Sequence, residues 1–189
     1  MPNELTGRRI AFLTATEGVE QAELTRPWQA VLDAGGTPEL LAPETGKVQA
    51  FNHLDRADTF EVTGTIAGAD PAQYAGLVLP GGVANADFLR MVPEAVGFAT
   101  AMFAAGKPAA VICHAPWLLA EADLVRGRTM TSWPSLATDL RNAGATWVDT
   151  EVQVCTAGRN VLVTSRKPDD LPAFCDALVT QFSQAAPGA

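Results

Sequence analysis

Short runs that are apolar almost from end to end recur along this chain, with helical segments between them. The clearest are 9–15 (RIAFLTA), 76–79 (GLVL) and 109–112 (AAVI). A strand without polar alternation has to be covered on both faces, and the intervening helices supply the cover. The pattern predicts a flavodoxin-like, doubly wound α/β sandwich with a mainly parallel sheet and right-handed crossovers. Further strands are predicted at 37–42, 47–51, 60–65, 128–132, 147–154 and 160–164. Helices are predicted at 22–34, 93–105, 115–122, 135–143 and 168–182, with Ser135 as an N-cap. The small, polar tail 184–189 is expected to fray. In such folds ligands bind beyond the C-terminal strand ends, which directs attention to 15–21, 80–87 and 113–116.

A length of 189 residues fits one domain, 1–189. Only 18% of residues are charged, and the net charge is −8. Nucleic acids and anionic membranes reward clustered Lys and Arg, so neither is an expected partner. The low charge content points instead to a large core or subunit contacts. The three cysteines, Cys113, Cys155 and Cys175, form no CxxC and no Cys/His cluster. No metal, no other cofactor and no disulfide framework are expected. The N-terminal residues lack a long apolar stretch, and no window reaches the ~18 apolar residues of a membrane span. The expected setting is cytoplasmic, with reduced thiols.

The most informative strand end is Gly106-Lys107-Pro108-Ala109-Ala110-Val111-Ile112-Cys113-His114-Ala115-Pro116. A buried strand runs into Cys113, and a helix begins almost at once. This is the layout of a nucleophile elbow with sulfur as nucleophile. A helix N-terminus favours the thiolate, so the sequence predicts a Cys113 pKa below the ordinary value. Cys155 and Cys175 read as small buried hydrophobes.

Four motifs in order resemble the ThiJ/PfpI superfamily, in its PfpI-type intracellular protease and general stress protein branch. They are A-x-E-G-V-E-x-x-E-L at 15–24, L-V-L-P-G-G at 77–82, G-K-P-x-A-x-I-C-H-x-P at 106–116 and G-A-x-W-V-D at 144–149. The resemblance implies a flavodoxin-like fold of the class I glutamine amidotransferase type, a reactive cysteine and homo-oligomers. It implies that Glu20 touches the sulfur, with Glu17 and Glu23 as competitors. It implies an oxyanion hole from the N–H groups of Gly82 and His114. It also implies that an acid from a neighbouring subunit orients His114. The loop 83–87 occupies that place, and Asp87 is the candidate acid. Trp117 and Trp133 are read chiefly as packing residues.

The function expected on these grounds is a cysteine-dependent hydrolase or lyase. Cys113 attacks a small carbonyl compound or a peptide, as a deglycase, glyoxalase or peptidase in stress response. The alternative is a non-catalytic redox-sensing or chaperone-like stress protein in which Cys113 is oxidised. Self-association as a homodimer or hexamer is expected. A glutamine amidotransferase needs a distant histidine. The only other one, His53, precedes the nucleophile and lies where the fold does not place the base.

Overall fold

A computed structural model describes residues 4–185. The chain begins with β1 (Arg9–Leu13), β2 (Glu17–Glu20), α1 (Gln21–Asp33) and β3 (Thr37–Ala42). The antiparallel hairpin β4 (Lys47–Asn52) and β5 (Asp55–Glu61) follows, then the short β6 (Gly64–Thr65) and β7 (Gly76–Leu79). Next come α2 (Val83–Arg90), α3 (Pro93–Ala104), β8 (Ala109–Ile112) and α4 (Pro116–Glu121). The chain continues through β9 (Thr129–Met130), α5 (Ala137–Asn142), β10 (Thr146–Trp147), β11 (Val152–Cys155), β12 (Leu162–Ser165) and α6 (Leu171–Gln184).

The central sheet runs β11-β12-β8-β7-β1-β3-β6. All its pairings are parallel except β11 with β12, which is antiparallel at the edge. From β1 the chain winds first toward β3 and then back toward β7, so β1 and β7 flank the switch point where ligands bind in open α/β sheets. Successive residues along β1, β7 and β8 face opposite sides. Leu13, Leu79 and Val111 join Phe98, Met102 and Leu118 on one face. Phe12, Val78 and Ile112 join Leu24, Phe174 and Phe182 on the other. Each such side chain, fully buried, stabilises the fold by about 1.5–3 kcal/mol. That double burial is why these strands carry no polar alternation.

The structure differs from the sequence reading in several places. The segment expected as the loop 83–87 is the first part of α2. Strand 60–65 is two elements: β5 closes the hairpin, and β6 joins the main sheet beside β3. Strand 147–154 is also two, β10 and β11, in different sheets. Ser135 is not a cap, because a 3-10 turn over Pro134–Leu136 precedes α5 and Leu136 occupies the cap position. The predicted fraying tail lies mostly outside the described residues, and α6 is regular through Gln184. No helix among the described residues is long and apolar enough to cross a membrane.

Candidate active site

Strand β8 delivers Cys113 to the C-terminal edge of the sheet, one strand from the switch point. Its φ of 63° is a conformation that non-glycine residues adopt rarely, and one found at strained functional turns. Neighbouring elements hold it there. The Cys113 N–H donates to the Ser165 carbonyl at 3.0 Å, and the Cys113 carbonyl accepts from the Trp133 N–H at 2.8 Å. Pro116 sits in the first turn of α4, where its missing N–H costs nothing. The residue is only 6% exposed.

The acid at the sulfur is Glu23. It lies in the first turn of α1 and is fully buried. Its Oε2 accepts the Gly81 N–H at 2.8 Å, and its carboxyl interacts with the Cys113 thiol. Burial pushes this carboxyl up to about 8, so it holds a proton at neutral pH. Gly81 is the spacer of this arrangement. A β-carbon there would overlap the Glu23 carboxyl and come within 2.6 Å of the Cys113 Cβ. Glu20, the residue favoured from the sequence, is displaced. It ends β2, is partly exposed, and its Oε2 accepts the His53 N–H at 3.0 Å. The reason is local: β2 ends at Glu20, so its side chain serves the hairpin, whereas Glu23 is on the buried stripe of α1 with Pro27 and Val31.

His114 Nδ1 lies 3.2 Å from the Cys113 sulfur. Its ring stacks on Trp133, centroids 5.6 Å apart, and meets Trp117 edge-on at 5.4 Å. Burial depresses this imidazole to about 4, so it is neutral at physiological pH. Both tryptophans are themselves held. Trp117 Nε1 donates to Asp139 at 2.9 Å. The Trp133 carbonyl accepts from the Ser132 hydroxyl at 2.9 Å, and that hydroxyl accepts from Trp147 Nε1 at 3.0 Å. The fourth sequence motif thus braces the wall behind His114. Its Asp149 does a parallel service by pairing with Arg166, which also grips Asp170 through two nitrogens.

The backbone N–H groups of Gly82 and His114 both face the Cys113 sulfur and pull the thiol pKa down. Burial, and after it the charge of Glu23, push it up further than those N–H groups offset. The thiol is therefore raised, not lowered as the helix N-terminus suggested. The charge effect of Glu23 vanishes whenever that carboxyl is protonated.

Asn85 was not singled out from the sequence. It is buried on α2 and joins the two glycine-bearing loops. Its Oδ1 accepts the Ala15 N–H at 2.7 Å, and its Nδ2 donates to the carbonyls of Pro80 and Gly81 at 3.0 Å each. Asparagine inside an alanine-rich helical stretch, directly after a strand-end glycine pair, was the available signal. Asp87, on the same helix, is exposed and has no partner within the described residues. Cys155 is buried as read, and Cys175 is half-buried. No group of three or more His, Cys, Asp or Glu among the described residues is placed to hold a metal. The structure thus brings together Cys113, His114 and Gly82 with Glu23, and leaves Glu20 and Asp87 apart.

The chain is 37% identical over 167 residues to protein/nucleic acid deglycase 2 of Escherichia coli strain K12, covering 88% of this chain and 93% of that one. It is 38% identical over 170 residues to general stress protein 18 of Bacillus subtilis strain 168, covering 89% and 94%. Among solved structures, the ThiJ/PfpI domain protein from Brachyspira murdochii superposes with a TM-score of 0.86 at 16% identity, covering 96% of this chain and 99% of that one. That likeness confirms the fold. The DJ-1/PfpI family model matches residues 8–181, and with relatives of this identity and coverage the chain belongs to the DJ-1/PfpI family.

Proposed function

We propose that this protein is a cysteine-dependent hydrolase or lyase acting on carbonyl compounds, with deglycase-type chemistry ahead of peptide hydrolysis. One observation carries the reading. A buried carboxyl that keeps its proton and a neutral imidazole converge on the sulfur of a strained turn. The deglycase relative supports the substrate class.

Cys113 is the nucleophile. In the reactive arrangement the Cys113–Glu23 pair has lost one of its two protons and keeps the other on Glu23, with sulfur as thiolate. Sulfur adds to the carbonyl carbon, forming the C–S bond as the π pair moves onto oxygen. The N–H groups of Gly82 and His114 receive that oxyanion, and the proton on Glu23 neutralises it. Where the carbonyl carbon carries an amine, the adduct collapses to a thioester as the C–N bond breaks and the amine leaves with a proton. His114, held neutral, is then free to accept a proton from the water that adds to the thioester and releases the sulfur. The residues doing this work are Cys113, His114, Gly82 and Glu23, with Glu23 in the role first read for Glu20.

The second reading, a redox-sensing stress protein, rests on the same carboxyl. A protonated Glu23 can donate a hydrogen bond to a sulfinate formed on Cys113 by peroxide.

Self-association completes the proposal. Val83, Phe88 and Met91 on and just after α2 are half or more exposed, with Asp87 among them. A second copy covers this apolar strip and brings Asp87 to the imidazole of its neighbour. The reading includes a cytoplasmic setting and no resident cofactor.

The test compares wild type with Cys113→Ala on methylglyoxal consumption, release of glycated amines and peptide hydrolysis. Loss of carbonyl turnover in the variant supports the enzyme. Selective Cys113 sulfinate formation, with no turnover of any substrate by wild type, transfers the assignment to sensing.

A further inference from the structure

At the opposite end of the sheet from Cys113 lies a cleft of about 330 Å³. It is bounded by the end of α3, the turn before β9 and the turn before β12. The register fixes its remoteness. Leu162 and Ala109 begin their paired strands on the cleft side, and Ser165 and Ile112 end them at the active-site side.

Three arginines line this cleft, Arg126, Arg128 and Arg159, in a chain whose net charge is −8. Arg128 is the centre of the argument. It is only 7% exposed, and among the described residues no carboxylate pairs with it. Its Nε donates to the Leu124 carbonyl at 3.1 Å, its Nη1 to the Asn160 carbonyl at 3.1 Å, and its Nη2 to Asn160 Oδ1. The Phe103 ring lies 5.1 Å from its guanidinium carbon, and the sulfur of Cys155 is against it. These neighbours supply dipoles and a π face where a buried cation ordinarily has a formal counter-charge.

Two features open this buried cation to the cleft. Gly158 has a φ of +93°, and a β-carbon there would stand 2.9 Å from Nη2 and 3.4 Å from the guanidinium carbon. Glycine at this position keeps a side chain off that edge of the guanidinium. Arg159, the next residue, is exposed and has no hydrogen bond or ion pair within the described residues. Arg126 pairs with Asp123 at 2.9 Å, but both are about two-thirds exposed, so that pairing is weak and can be shared.

We infer that this cleft is a binding site for a small oxyanion of the phosphate class, held by the fork of Arg159 and by the N–H groups of Arg128 that Leu124 and Asn160 leave unbonded, with Arg126 at the rim. Planar guanidinium groups match tetrahedral oxyanions through paired hydrogen bonds, which a lone ammonium does not. The site is separate from the sulfur chemistry at the other end of β8.

Calorimetric titration of the whole protein with inorganic phosphate, at ionic strength fixed with chloride, tests the inference. A parallel titration with phenyl phosphate distinguishes free phosphate from a phosphate monoester as the source. Saturable binding of either is expected. Arg159→Gln, at an exposed position that threatens no fold, should weaken it about tenfold, the loss of one charge-assisted contact. Arg56→Gln, remote on the hairpin, and Cys113→Ala should leave it unchanged. Absence of saturable binding above the chloride control overturns the inference. So does equal affinity in Arg159→Gln, or loss of binding in Cys113→Ala.

Discussion

Glu23 accepts the Gly81 N–H through one carboxyl oxygen, while its other oxygen, Oε1, is buried without a hydrogen bond. An ionised carboxylate with one oxygen left dry is costly, whereas a protonated carboxyl needs only a place for its proton. The thiol or thiolate of Cys113 is the adjacent group that can take part. This relationship makes the pair, and not either residue alone, the titrating unit.

Iodoacetamide alkylation of Cys113 against pH should therefore show two steps in wild type, one for each proton of the coupled pair. Glu23→Gln cannot ionise and should show a single step. Glu20→Gln should keep both, because Glu20 faces the hairpin. A single-step wild-type profile that Glu23→Gln leaves unchanged would separate the two groups.

The same residues set a pH dependence of stability. Glu23 has a folded pKa raised to about 8, so its contribution is complete below the unfolded value of 4.5 and is lost as pH rises through about 8. His114 is depressed to about 4 by burial, so its contribution is complete above 6.5 and is lost as pH falls toward 4. Between pH 6.5 and 8 only Glu23 of this pair acts. Urea midpoints should fall across that window in wild type and stay flatter in Glu23→Gln. His114→Gln should flatten the acid side only.

Much of the fold was legible because its cause is local and repetitive. Strands β1, β7 and β8 are apolar as a consequence of cover on both faces, and the elbow is written in consecutive residues. What was not legible depended on contacts distant in sequence. The stretch over α2 follows a glycine pair and is short, so it read as a loop; its helix is secured by Asn85 reaching Ala15, Pro80 and Gly81. Glu20 and Glu23 differ by three positions. The distinguishing signal was periodicity: Glu23, Pro27 and Val31 fall at helical spacing on one buried stripe. The thiol pKa differs from the sequence expectation because a helix N-terminus is visible in sequence, while burial of the sulfur is not.

Gly81→Ala should be more damaging than its size suggests. The added methyl enters the space between Glu23 and Cys113, with Ile112's carbonyl 2.9 Å away. A cost of about 1–3 kcal/mol is expected from overpacking. Alkylation of Cys113 should change in the variant that remains folded, as read by denaturant midpoints and labelling on one sample.

The proposed second copy has its own test. Phe88→Ser should shift the assembly toward monomer in light scattering, since Phe88 is half exposed on an apolar strip. Asp87→Ala should lower turnover while preserving the two-step alkylation profile, because Glu23 and Cys113 belong to one chain. A fully active monomer would remove Asp87 from the site.

The hydrogen bond from the Cys113 N–H to Ser165 has a consequence for how the chain emerges from a ribosome. A nascent protein that has not yet exposed residue 165 carries the thiol, its histidine and its buried acid, but not the strand that anchors the turn. The turn that carries the sulfur therefore lacks this anchor until β12 docks beside β8. A chain stopped or clipped before residue 165 would lack the hydrogen bond that holds the turn, so the order of synthesis places the support of Cys113 after Cys113 itself.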